Sequence, residues 1–161
     1  MKAVLPWPSK DEIGNNLPRR FQDFANVRVV LDGTEIEIEK AACLACRIWT
    51  YSHYKGRHTA KFLVGVSPAG LITFLSDGFG GRSSDKATVQ KSNILEKLDS
   101  FTDDVMVDKG FHIEDECKKS GIEIIQPPYL RNREVNSLQK TPQGRQASLV
   151  HGFMWNVSLL A

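Results

Sequence analysis

The sequence is poor in the features that would place a chain in most specialised classes. It has three cysteines, Cys43, Cys46 and Cys117. That small odd number argues against a disulfide-stapled scaffold and for a reducing compartment, nucleus or cytoplasm. No stretch approaches the ~18 continuous apolar residues of a membrane helix. The start, Met1-Lys2-Ala3-Val4-Leu5-Pro6-Trp7-Pro8, has one positive charge and two prolines before any apolar run forms, so it does not read as a secretion signal. A large charge excess is also missing: 21 Lys and Arg face 19 Asp and Glu, a net of +2, less than a strongly basic nucleic-acid binder shows. No internal repeat is present. What remains is ordinary for one folded domain: 161 residues, 41% hydrophobic and 25% charged, which excludes a disordered tail, a collagen and a coiled coil.

The charges are unevenly placed. Ala41 to Ser76 contains no acid but holds Arg47, Lys55, Arg57, Lys61, His53 and His58. From Asp77 to Glu123 eleven acids face seven bases, and after Tyr129 the one acid is Glu134. A basic stretch beside an acidic centre suits a site where metal ions meet a polyanion, although solvated surface would look the same.

Patterning supplies the elements. Ser9-Lys10-Asp11-Glu12 has the form of a capping box and predicts a helix over about 10–16, ended by Pro18. Val27 to Asp32 reads as a buried strand. Gly33-Thr34 interrupts it, and Glu35 to Glu39 alternates as a second strand with Ile36 and Ile38 inward. Lys40 to Thr59 has no clear period and reads as a loop with one helical turn. Lys61–Val66 and Leu71–Ser76 form a hairpin around Ser67-Pro68-Ala69-Gly70. Gly78 to Gly81 is a loop. A helix over about 86–98, a short buried strand at Asp104–Asp108, a helix over about 113–119 and a strand at Ile122–Ile125 follow. Hairpins followed by alternating helices and strands predict an α/β fold with a mixed sheet and flanking helices.

Two aspartates stand out. Asp32 and Asp108 each end an apolar strand and stand before a glycine-containing turn. Strand C-terminal ends are where open α/β sheets build their sites. If the two strands are neighbours, the carboxylates converge and repel, and a divalent cation relieves the repulsion. Two such ions clamp the attacking and leaving oxygens of a phosphodiester. The alternative is that each aspartate simply forms a turn, since Asp-Gly is a common turn pair.

The residues around these aspartates resemble a known family. Arg28-Val29-Val30-Leu31-Asp32-Gly33-Thr34-Glu35 is similar to the first-aspartate motif of DDE superfamily transposases, in the Harbinger and insertion-sequence-5-like group. The likeness continues through Trp49 to Lys55, Lys61 to Pro68 with Gly70, Gly80 to Lys86 and Val105 to Phe111. Each motif is weak alone; five in the family's order are specific, and together they cover about Trp7 to Gln146. The resemblance implies an RNase H-like fold, an endonuclease or strand-transfer activity on DNA with Mg²⁺ or Mn²⁺, and Asp32 and Asp108 as two of three metal-binding carboxylates. It divides the chain into a helical lead-in (1–26), the DDE domain (27–146) and a tail (147–161).

The third carboxylate of the family is a Glu on a helix beyond the second Asp, in a segment like Arg-Ile-His-Val-Glu-Arg. Here Val150-His151-Gly152-Phe153-Met154-Trp155-Asn156 stands in that place and holds no acid. His-Gly-Phe-Met-Trp-Asn can be encoded CAC GGA TTC ATG TGG AAC, followed by GT of Val157. Read from the third base, the same nucleotides are CGG ATT CAT GTG GAA CGT, the family's segment. A frameshift near Leu149–Val150 therefore accounts for the tail from His151 to Ala161, and it would remove the C-terminal helix and impair catalysis. Glu114, Glu116 and Glu134 do not match the missing Glu by motif. The chain also shows no DNA-recognition domain before the DDE motifs, so poor sequence-specific targeting is expected, with a homo-oligomer or a separate DNA-recognition protein as candidate partners.

Other signals are weaker. Asp85, after Gly80-Gly81-Arg82-Ser83-Ser84, is a reserve metal ligand or a helix cap. Arg47, Trp49, Tyr54, Lys55, Arg57 and Arg82 are candidate DNA contacts, the rings for stacking and the cations for phosphates, with core packing of the rings the alternative. Cys43-Leu44-Ala45-Cys46 with His53 and His58 mimics a zinc finger, but six residues between Cys46 and His53 are too few. The glycine-rich loop lacks the Lys-Ser/Thr of a nucleotide-binding loop.

Overall fold

The computed structural model describes residues 5–108 and 110–126. Its organising strand is β1 (Val27–Glu37), whose stretch Val29-Val30-Leu31 is a continuous apolar run. A run with no polar alternation is stable where both faces of the sheet are covered. β1 accordingly lies mid-sheet, antiparallel to β3 (Arg57–Val66) on one side and parallel to β6 (Asp104–Val107) on the other. β7 (Glu123–Ile125) extends the parallel side. β2 (Tyr51–Ser52), β4 (Ile72–Leu75) and β5 (Phe79–Gly80) all pair antiparallel with β3. Parallel neighbours need crossovers. α3 (Asp85–Ser92) with a following 3₁₀ turn (Ile94–Lys97) leads into β6, and α4 (Glu114–Lys119) links β6 to β7. The result is a mixed sheet with flanking helices, compatible with the RNase H-like fold that the resemblance implied. No helix among the described residues is long and apolar enough to cross a membrane.

The sheet has a core on each face. One contains Val29, Leu31, Leu63, Val105 and Val107 with Val89, Ile94 and Ile113 from the helical crossovers. The other contains Val27, Val30, Val66 and Met106 with Phe21 and Phe24 from a 3₁₀ helix (Arg19–Phe24). Val27 and Val30 share a face although three residues apart, because the pairing of β1 with β6 shifts register between Val27 and Val29. The capping box at α1 (Lys10–Asn15) forms as the sequence predicts: Ser9 Oγ accepts from the Glu12 N–H, and Glu12 Oε2 accepts from the Ser9 N–H.

Several expectations are corrected. Gly33 does not interrupt β1; it pairs with Leu63, and the strand continues to Glu37. Ile36 and Ile38 are not inward but 49% and 37% exposed, because β6 stops at Val107 and the far end of β1 has β3 alone as a neighbour. The supposed loop over 40–59 contains α2 (Leu44–Thr50), β2 and the start of β3. α2 escaped the periodicity reading because it buries no residue. The loop at 78–81 contains β5. The helix expected to reach Leu98 breaks at Asn93, whose φ of 55° is left-handed, and the 3₁₀ turn then carries Ile94 into the core. The frameshifted tail at 147–161, Glu134 and the missing C-terminal helix lie outside the described residues.

Candidate active site

The parallel register of β1 and β6 pairs Leu31 with Val107, both fully buried. The next residue in each chain segment is an aspartate, so Asp32 and Asp108 stand side by side where β6 ends, Asp32 still paired with Val64 of β3. They open into a cavity of about 800 Å³ whose lining includes Asp32, Glu35, Lys61, Asp85 and Asp108. Asp85 is the first residue of α3, brought here by a helix N-terminus that Ser84 caps through its Oγ and the Ala87 N–H. Asp85 Oδ1 would lie 3.4 Å from a Cβ placed on Gly33. The carboxylate therefore hangs over β1 at Gly33, the residue after Asp32. Gly33 and Gly110, one beside each aspartate, also line the cavity and leave it open.

The electrostatics register this convergence. Burial pushes the Asp32 carboxyl above its usual range, and the charges of Asp108 and Asp85 push it the same way; the Gly33 N–H opposes them. A carboxylate that resists ionisation beside two others is the situation a bound cation relieves. The donors are hard oxygens, matched to Mg²⁺ or Mn²⁺ rather than to a softer metal. Asp32 and Asp108 thus fit such an ion in donor type and in charge. The set is incomplete: among the described residues no three His, Cys, Asp or Glu side chains group closely enough to hold a metal ion.

Two residues of the cavity, Lys61 and Glu35, lie within the motifs quoted above but were not singled out as site residues. Lys61 Nζ lies 3.1 Å from Asp85 Oδ1, 3.0 Å from the Ser83 carbonyl and 3.7 Å from Glu35 Oε1. Glu35 Oε2 accepts from the Thr59 hydroxyl at 2.8 Å. Glu35 and Lys61 are direct partners in the β1–β3 register, so the available signal was a cross-strand opposite-charge pair, legible only once that register is known.

The candidate nucleic-acid contacts divide into two groups. Tyr54 and Lys55, on the turn between β2 and β3, line the cavity; Tyr54 is 87% exposed and Lys55 Nζ stands 5.3 Å over its ring. Trp49 and Arg82 are exposed and adjacent, the Arg82 N–H donating to the Trp49 carbonyl. Arg47 is instead turned inward on its own loop, donating from Nε to the Ala41 carbonyl and from Nη2 to the Ala42 carbonyl. Arg57 pairs with Glu37 at 2.7 Å. Trp49, Tyr51 and Tyr54 are all exposed, so none is consumed by the core. Cys43 and Cys46 are exposed, and hydrogen bonds from the Cys46 thiol and from the Cys46 and Ala45 N–H groups hold the Cys43 thiol below its ordinary range. His58 Nδ1 is engaged by the Thr50 hydroxyl at 3.0 Å rather than by a cysteine. Cys117 is buried, and burial pushes its thiol up to about 11.

The sequence profile of the family described as DDE superfamily endonuclease matches residues 31–149. That span contains Asp32, Asp85 and Asp108. No curated protein and no solved structure matches the chain.

Proposed function

The chain belongs to the DDE superfamily endonucleases, and on that premise we propose that it is a transposase-derived, DNA-directed domain of the Harbinger and insertion-sequence-5-like kind. In this reading Asp32 and Asp108 hold a divalent cation, Mg²⁺ or Mn²⁺, and cleavage is impaired because the family's third carboxylate is missing. The observation that carries it is the β1–β6 register, which pairs the fully buried Leu31 and Val107 and so sets the two aspartates that follow them next to each other.

The bound cation would supply Lewis-acid polarisation of a phosphodiester and a water or 3′-hydroxyl made more acidic for attack. The chain's own residues do the rest. Buried Leu31 and Val107 immobilise the aspartates, and a ligand that does not reorganise is the protein's main contribution at such a site. Gly33 and Gly110 keep side chains out of the space a strand would enter. Tyr54 and Lys55 at the rim would stack on a base and neutralise a phosphate, and the exposed pair Trp49 and Arg82, outside the cavity lining, would add a second ring and cation. Arg47 and Arg57 contribute less, being committed to carbonyl groups and to Glu37. Asp85 is the reserve ligand. The division into lead-in (1–26), DDE domain (27–146) and tail (147–161) belongs to the same proposal; the family match ends at 149, beside the point where the reading frame is suspect.

A second reading is favoured by the acid-free sequence Val150 to Asn156, where the family carries its Glu: a degenerate or domesticated remnant that binds DNA or protein without cutting DNA, through a homo-oligomer or with a separate recognition protein. One experiment covers both, with DNA binding and strand cleavage followed in Mn²⁺ across a salt series. The expected result is salt-dependent binding with cleavage that is slow and lost in both Asp32→Asn and Asp108→Asn. Cleavage that survives both substitutions sinks the site; binding with no cleavage at all selects the remnant. Sequencing the locus across codons 147–161 decides whether the Arg-Ile-His-Val-Glu-Arg frame exists in the gene.

A further inference from the structure

Lys61 sits deep in the carboxylate cavity, its side chain 12% exposed. Its ammonium donates hydrogen bonds to Asp85 Oδ1 and the Ser83 carbonyl, and Glu35 Oε1 stands at ion-pair distance, 3.7 Å. The lining of the cavity carries five carboxylates and two ammonium groups, and of the two Lys55 is exposed while Lys61 is inside. Asp85 is thus close enough to Asp32 to be felt electrostatically, yet one of its oxygens is given to Lys61. We propose that Lys61 is a resident counter-cation that holds Asp85 out of the metal set and thereby sets the cation affinity of the Asp32–Asp108 pair. This rests on the reading of that pair as metal ligands.

The physical case is one of competition. Asp85 Oδ1 already overhangs Gly33, beside Asp32, and needs no backbone movement to approach that neighbourhood. What it lacks is a reason to leave Lys61. With the ammonium gone, Asp85 loses its compensating charge in a cavity that is already rich in carboxylates, and a divalent cation is the obvious replacement. Lys61 is a positioning residue here: it acts on the ion through Asp85.

The test is Mn²⁺ binding to the full chain by electron paramagnetic resonance of free Mn²⁺, with circular dichroism confirming the fold. Removing a supporting partner of a ligand typically costs about 10–100-fold in metal affinity; Lys61 instead competes with the ion for Asp85, so the sign reverses and Lys61→Met is expected to bind Mn²⁺ about tenfold more tightly or better. Lys61→Arg, which keeps the charge, is expected to stay close to wild type. In the double variant Lys61→Met/Asp85→Asn the gain is expected to vanish. A gain that persists without Asp85 makes Lys61 a through-space charge and overturns the proposal, as does a folded Lys61→Met with unchanged or weaker affinity. Asp85→Asn alone tests the same point if Lys61→Met does not fold: a retained affinity supports the proposal, and a tenfold loss shows that Asp85 is already a ligand and overturns it. Asp32→Asn separates the underlying reading. Wild-type binding that ignores Asp32→Asn removes the pair as ligands, whatever Lys61 does. Binding absent in wild type but present in Lys61→Met upholds the counter-cation while removing the wild-type metal site, and binding absent in both overturns each.

Discussion

β1 passes through two environments, and the contrast between its halves explains where the site lies. From Val27 to Leu31 it lies against β6, joined by β3 on its other side from Val30 onward, and it has a core on each face, with Val29 and Leu31 fully buried. From Glu35 to Glu37 it has β3 alone, and Ile36 is half exposed. Asp32 stands at the boundary. A carboxylate further back would be buried without water or ion; one further on would sit on a less supported edge. The lesson is that a charge can be both rigid and accessible only at the residue where close packing stops.

The comparison can be broken most directly by cutting side chains at both ends of the strand. Leu31→Ala is expected to cost about 2–5 kcal/mol of stability by urea denaturation, and Ile36→Ala less than about 1 kcal/mol, since the former leaves a cavity in a close-packed core. Equal losses would erase the distinction. A sharper form uses glycines. Gly65 pairs with Leu31, and a Cβ there would meet Phe74 Cβ and Val29 Cγ2 at 2.9 Å. Gly65→Ala should therefore cost about 1–3 kcal/mol through overpacking. At Gly80 an added Cβ meets the Trp49 carbonyl instead. Gly80→Ala should displace α2 from β5 while lowering the melting temperature less than Gly65→Ala does.

The boundary residue has its own signature. The Asp32 carboxyl is raised in the folded protein by burial and by Asp108 and Asp85. The stability linked to it is therefore fully present below its unfolded value and is lost as pH rises through the folded one. In metal-free buffer Asp32→Asn should raise the melting temperature near about pH 7.5, with the gap closing below about pH 4, where ordinary carboxyls are protonated. A gap that is reversed, or constant across that range, would contradict the convergence of the three carboxylates. The smallest effect belongs to the far end of the sheet. Arg57 and Glu37 form a 2.7 Å pair with side chains 57% and 64% exposed. Arg57→Ala should cost no more than about 0.5 kcal/mol, and less still at high salt.

Much of this was legible from local pattern. The Ser9–Glu12 capping box, the strands at Val27 and Asp104, the hairpin around Gly70 and the charge-graded helix at Glu114 all form close to where their residues predict. Each depends on neighbours in sequence, so each carries its own signal. α2 did not: its apolar Leu44, Ile48 and Trp49 are exposed, and a helix that buries no face leaves no period to read. Gly33 misled for a related reason. A glycine in a strand ordinarily marks a break, but this one keeps its pairing with Leu63 across the sheet.

For the site, the sequence alone singled out two aspartates at the ends of apolar runs as the proposed ligands, within residues 31–149 that a DDE superfamily endonuclease profile matches. Tertiary structure decided how they meet. Asp32 and Asp108 are 76 positions apart, and only the parallel register of β1 with β6 makes them neighbours. Lys61 and Glu35 became part of the cavity only through the antiparallel register of β1 with β3. Residue type is written locally, whereas distance between remote residues depends on strand order and register, which packing of the whole sheet selects.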